Sequence, residues 1–146
     1  MKIQHIELAG VGCVLALLAS GAAAENERMD ATVEKPALVT ATGPSTPSTK
    51  SHVVISVTGF QPAAEGAVQA VVKARNQDGT EQELGRFGLH PQTSFKSEPT
   101  GAQRYSVPLP KNLASEGSVN LKVELVPGLK GTGEGARLEL GGAEIR

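Results

Sequence analysis

A chain of 146 residues, 39% apolar and 20% charged, has room for one core of ordinary size, and that composition excludes a fully disordered chain or a polytopic membrane protein. Its 17 Gly and 9 Pro against three Phe, one Tyr and no Trp imply many turns and a core of Val, Leu and Ile, hence short strands rather than long helices. The 14 basic and 15 acidic residues form no block of either sign, so no electrostatic footprint for nucleic acid is expected.

The N-terminus has a basic Lys2, an uncharged run from Leu8 to Ala24, and Ala22-Ala23-Ala24 before Glu25. This is the order of a cleavable secretory signal: basic start, apolar centre, small residues at the cut. Three glycines dilute the 17-residue run, and a bilayer span needs about 20 apolar residues, so residues 1–24 are read as a signal peptide. The mature protein is then expected to be secreted or periplasmic, with no membrane association after cleavage. Cys13, the only cysteine, lies inside the apolar run behind Gly10-Val11-Gly12, away from where a lipidated cysteine would stand. Cleavage leaves a chain without disulfides or thiolate metal sites.

Residues 25–50 are polar and rich in Pro, Ser and Thr, most clearly from Thr40 to Thr49. Such a segment buries too little apolar surface to offset its ordering entropy and is read as a disordered tether. The short Ala37-Leu38-Val39 patch could pair with the domain but is assigned to the tether.

From Ser51 onward β-branched runs alternate with turn signals, which predicts an all-β, antiparallel β-sandwich domain over residues 51–146, of jelly-roll or Ig-like type. Strands are expected at His52–Gly59, Ala67–Arg75 and Thr80–Leu89, the last two joined at Asp78-Gly79, which supplies the positive φ of a tight hairpin. A loop from His90 to Thr100 leads to a strand near Gln103–Val107, stopped by Pro108 and Pro110, and then to one helical turn within Lys111–Glu116. Ser118–Val126 sets Val119, Leu121, Val123 and Leu125 against Asn120, Lys122 and Glu124, the period-2 pattern of a half-buried strand. A glycine-rich turn follows, then a last strand over Ala136–Ile145 with room for a bulge at Gly141-Gly142.

Catalytic patterns are weak throughout. His52 and His90 are the histidines beyond the leader, too few for a six-histidine dicopper centre and lacking the spacing of a mononuclear site. No Gly-x-Ser-x-Gly elbow is present. Glu81 and Glu83 share one strand face and read as solvated. Gly131-Thr132-Gly133-Glu134-Gly135-Ala136 fits a dinucleotide fingerprint only formally, because a strand rather than a helix follows it. Neither an enzyme nor a cofactor is expected, and a sugar-binding role is disfavoured by the shortage of aromatic rings.

The pieces Gly85-Arg86-Phe87, Arg104-Tyr105-Ser106-Val107 with Leu113-Ala114, Lys122-Val123-Glu124-Leu125-Val126-Pro127, and Ala136–Ile145 occur in the order seen in another group of proteins. Over Val53–Ile145 the chain resembles the C-terminal β-sandwich of polyphenol oxidases and tyrosinases, which covers the entrance to a dicopper site with an apolar side chain. The resemblance implies a non-catalytic accessory domain that binds or shields a separately encoded tyrosinase-type copper oxidase, since no copper domain accompanies it here. The alternative is an extracytoplasmic adhesion or scaffold module with no link to copper. The expected contact residues lie on the loop that gathers Phe87, Leu89, His90 and Phe95, with Phe95 the expected plug.

Overall fold

The computed structural model describes residues 29–43, 51–89, 92–114 and 117–146. The signal peptide expected at 1–24 lies outside them. Nine strands make the fold: β1 (Asp30–Thr32), β2 (Ala37–Thr42), β3 (His52–Gln61), β4 (Val68–Arg75), β5 (Glu81–Gly88), β6 (Phe95–Lys96), β7 (Gln103–Pro108), β8 (Ser118–Pro127) and β9 (Arg137–Ile145). A 3-10 turn at Pro99–Gly101 precedes β7, and the short helix α1 (Lys111–Ala114) precedes β8.

The protein is all-β. Its strands hydrogen-bond in the order β5-β4-β8-β2-β9-β3-β6, with β1 beside β9 and β7 beside β3. Two expectations are corrected. The first is the tether: Met29–Gly43 is not a disordered lead-in but supplies β1 and β2, and β2 stands in the middle of the sheet. Six residues of β2 pair with β8, from Ala37 opposite Val123 to Thr42 opposite Ser118. Ala31, Ala37, Val39 and Ala41 are at most 5% exposed. These small side chains bury little area individually, yet alternation places all of them on the core face, and flanking strands satisfy the backbone.

The second correction concerns direction. The sheet is mixed, because β2 and β9 run parallel where Thr42 meets Glu144. The cause is β2's position: a strand wedged between the successive strands β8 and β9, and antiparallel to the first, must run parallel to the second.

Alternate residues of β3, β4, β8 and β9 converge on one apolar cluster in which Ile55, Leu121, Leu138, Val57, Val72 and Val123 are fully enclosed. The sheet curls until its two ends meet. There Phe87 of β5 stacks on Tyr105 of β7, ring centroids 4.2 Å apart and 13° from parallel. Gly85 permits that approach, since a Cβ on it would sit 3.1 Å from Val107 Cγ1.

The turns follow the residues that make them. Between β4 and β5, Gly79 adopts φ +89° while the Asp78 carboxylate accepts from the Thr80 hydroxyl at 2.6 Å and the Thr80 N–H at 2.9 Å. Those hydrogen bonds hold the Asp78 carboxyl below its ordinary range. The glycine-rich segment after β8 is a loop with positive φ at Gly131, Gly133 and Gly135, and it leads into a strand. Gly131 crosses Gly66 so closely that a Cβ on either would strike the other loop's backbone carbonyl. The bulge expected at Gly141-Gly142 is present, where the β3–β9 register slips between Ser56 and Val57.

Candidate contact surface around Phe95

The residues expected to touch a partner divide sharply. Leu89 is 1% exposed and belongs to the core, so its assignment as a contact residue is corrected: following the Phe87–Gly88 strand end, it points into the enclosed side. Phe87 is half-buried, with one ring face covered by Tyr105. Burial in this stack also raises the Tyr105 phenol above its ordinary pKa. His90 lies outside the described residues. Phe95 is half-buried like Phe87, packed against the core on one side, and it lies on the two-residue strand β6 instead of in an aromatic stack.

The segment that carries Phe95 is pinned rather than loose. Gln92 imitates a strand beside β4: its side-chain oxygen accepts from the Val68 N–H at 3.3 Å, and its side-chain nitrogen donates to the Val68 carbonyl at 3.2 Å and the Leu89 carbonyl at 2.6 Å. Three and four residues later Phe95 and Lys96 pair with Phe60 and Gly59 of β3, and the Ser97 N–H donates to the Thr58 carbonyl at 2.8 Å. Phe95 is thus on a strand, where a structureless loop was expected. Nothing in the composition around Gln92 signals its backbone-mimicking role.

Outside this strand lies a groove of about 540 Å³, lined by Gly59, Phe60, Gln61, Ser94, Phe95, Lys96, Arg137 and Glu139. Its lining mixes the Phe95 ring with the charged side chains of Lys96, Arg137 and Glu139. The Glu139 carboxylate lies over Gly59, where a Cβ would approach it to 2.6 Å, so a larger residue at 59 would displace it. That carboxylate is 3.9 Å from both Lys96 and Arg137, and Arg137 also approaches Asp30 at 3.6 Å. Long, well-exposed ion pairs of this kind are worth at most about 1 kcal/mol each and rearrange readily around an incoming group. The groove therefore offers an aromatic patch, adaptable charge of both signs and the backbone of a sheet edge. Those are recognition features.

The outer face of β4, β5 and β8 is different in kind. Lys122 reaches both Glu81 and Glu124 at 3.1 Å, Lys73 meets Glu124 at 3.1 Å, and Arg86 meets Glu83 at 2.7 Å. Burial pushes the Glu124 carboxyl up, but hydrogen bonds from Lys73 and Lys122 outweigh it and hold it below its usual value; the hydrogen bonds that Lys122 donates to Glu124 and Glu81 raise its own pKa. Glu81 and Glu83 are thus members of ion pairs on a solvated face. Among the described residues no three His, Cys, Asp or Glu side chains gather as a metal site, and no helix is long and apolar enough to cross a membrane. Set against known proteins, the chain matches no family model, no curated protein and no solved structure.

Proposed function

We propose that this chain is an exported, non-catalytic β-sandwich that works by contact, and that the groove beside Phe95 is its contact surface. The observation that carries the reading is the state of Phe95: half-buried, held at fixed register on a two-residue edge strand, and lining a groove with a charged rim. An aromatic side chain anchored on one side and open on the other suits an interface hot spot, since little side-chain entropy is left to lose on binding. The resemblance over Val53–Ile145 supplies the partner class, a separately encoded tyrosinase-type copper oxidase.

The test uses the mature chain, a tyrosinase-type oxidase from the same source, and two variants. Phe95→Ala removes the ring; Arg137→Glu reverses the rim charge without touching the core. Both variants are expected to retain cooperative melting and to weaken binding tenfold or more, which is about 1.4 kcal/mol. If Phe95→Ala melts as a fully buried Phe would, losing about 3–5 kcal/mol of stability, and Arg137→Glu leaves binding unchanged, the groove is not the contact surface. An oxidase that neither binds nor changes activity removes copper enzymes from the reading.

A further inference from the structure

The most distinctive topological feature is the arm formed by β1 and β2. Its main packing partners beyond itself are β8 and β9, the last strands of the chain, and β3, which follows it directly in sequence, is not among them. Ala37 pairs with Val123 and Ala31 with Leu138, so the arm closes over partners made some 86 to 107 residues later. It is an internal member of the sheet; lifting it out would bare hydrogen-bonding edges on both β8 and β9, together with the core beneath Ala37, Val39 and Ala41. Its covalent tie to the body is seven residues, 44–50, with prolines at 44 and 47.

We infer that this arm is exchangeable, and that the partner fitting the β8–β9 groove is the Met29–Gly43 arm of a second copy of this chain. An arm from a neighbour would make the same register, the same hydrogen bonds and the same burial as the chain's own, so the closed monomer and the reciprocal dimer differ only at the connection and in association entropy. Closure within one chain is favoured by an effective concentration in the millimolar range for a short tie. During synthesis or refolding, however, the arm is complete long before β8 and β9 exist, and at high chain concentration a neighbour's groove competes for it.

The exchange is read by disulfide trapping between Thr40 and Asn120, whose side chains meet at 3.1 Å on the outer face. The signal-cleaved chain lacks Cys13 and so has no cysteine of its own. One mature chain carries Thr40→Cys; a second, distinguishable by mass, carries Asn120→Cys. Unfolded together and refolded at high concentration, they are expected to yield the mixed disulfide in several-fold excess over either self-linked product. Chains folded separately in dilute solution and then mixed are expected to yield none. Absence of the mixed product after co-refolding, while a chain with both substitutions links within itself, overturns the inference.

A second variant acts on the tie. Gly43 and Val53 flank Ile145 on opposite sides, about 10 Å apart at two inter-strand spacings. His52 is fixed to Arg146 by hydrogen bonds of 2.7 and 2.8 Å. Ser51, whose carbonyl accepts from the Leu109 N–H at 3.0 Å, lies two residues before Val53 and so still further from Gly43. Deleting residues 44–50 leaves a single ~3.8 Å Cα step between the two, too short for the arm to return to its own groove, so this variant is expected to run entirely as a dimer in size-exclusion chromatography. A folded monomer overturns the inference; should the variant not fold, the co-refolding result decides alone.

Discussion

Strands β2 and β8 lie side by side and alternate in the same way, yet only β8 announces itself. In β8 four large apolar residues face inward and Asn120, Lys122 and Glu124 face outward, a contrast strong enough to be read without a structure. In β2 the inward residues are Ala37, Val39 and Ala41, the outward ones Leu38, Thr40 and Thr42, so the two faces hardly differ in polarity. An interior position filled by alanine bears no mark in composition, and the Pro, Ser and Thr that follow make the stretch resemble linker. What fixes β2 is supplied by its neighbours: two open sheet edges and a core space that admits only small side chains.

The sharpest way to break this comparison is to charge the inner face of β2. Ala41 is fully enclosed. An aspartate there buries an unpaired carboxylate, which costs several kcal/mol against a total stability of about 5–15 kcal/mol. Ala41→Asp is therefore expected to abolish cooperative folding, whereas Thr42→Lys, one residue along on the exposed side, is expected to stay within about 0.5 kcal/mol of the parent. Circular dichroism melts of the two variants distinguish them. Were Met29–Gly43 a tether, both substitutions would be silent.

Next in size is the corresponding truncation in β8. Leu121 is 1% exposed and pairs with Val39 across the two strands. Leu121→Ala is expected to lower stability by about 2–5 kcal/mol, set by how far the cavity collapses. Urea unfolding with an unchanged m-value is the measurement that checks it.

The loop crossing gives a smaller effect of another origin. Gly131 has φ +87°, and a Cβ on it would strike the Glu65 carbonyl oxygen. Gly131→Ala combines a disfavoured backbone region with a steric clash that flexible side chains cannot relieve, at about 1–3 kcal/mol. Gly79→Ala has the strained φ but open space around it, and is expected to cost less. The difference between the two melts measures the clash alone.

Legibility in the sequence followed contrast. The all-β class, the Asp78-Gly79 hairpin, the strand ending at Ile145 and the bulge at Gly141-Gly142 were readable because polarity alternates strongly there or glycine marks the turn. The arm was not, for the reason given. At the candidate surface Phe87, Leu89 and Phe95 stand together in sequence but their environments are not separable there: Phe87 meets Tyr105 and Phe95 pairs with Phe60, partners remote in sequence, and Phe60 carries no mark of lining the groove. Gln92 has no local signal, since a glutamine that mimics a strand looks like any loop glutamine. The rim of Arg137 and Glu139 reaches Lys96 through the β3–β9 pairing, which no local pattern reveals.

The smallest effect returns to the pair of strands from the solvent side. The ion-pair ladder of β4, β5 and β8 stops at β2, where Lys122 faces Leu38 and Asn120 faces Thr40. Lys122 and Lys73 stand directly opposite one another across the β4–β8 pairing, a repulsion offset by Glu124 and Glu81. Because the Glu124 carboxyl is held below its ordinary value in the folded chain, its contribution is present above the unfolded pKa and is lost as pH falls through the folded one. The raised Lys122 has the opposite sign: its contribution is present below the unfolded pKa and disappears as pH rises through the folded value. Stability is therefore expected to fall at acid pH below the carboxylate range and again at strongly alkaline pH. Lys122→Met is expected to cost at most about 1 kcal/mol near neutrality, in the range of exposed ion pairs, and to flatten both limbs. Added salt should shrink the difference between parent and variant. Since the ladder ends at β2, the Ala41→Asp and Thr42→Lys comparison is expected to keep its sign across the same pH range; a reversal would mean that the arm is held by charge rather than by packing.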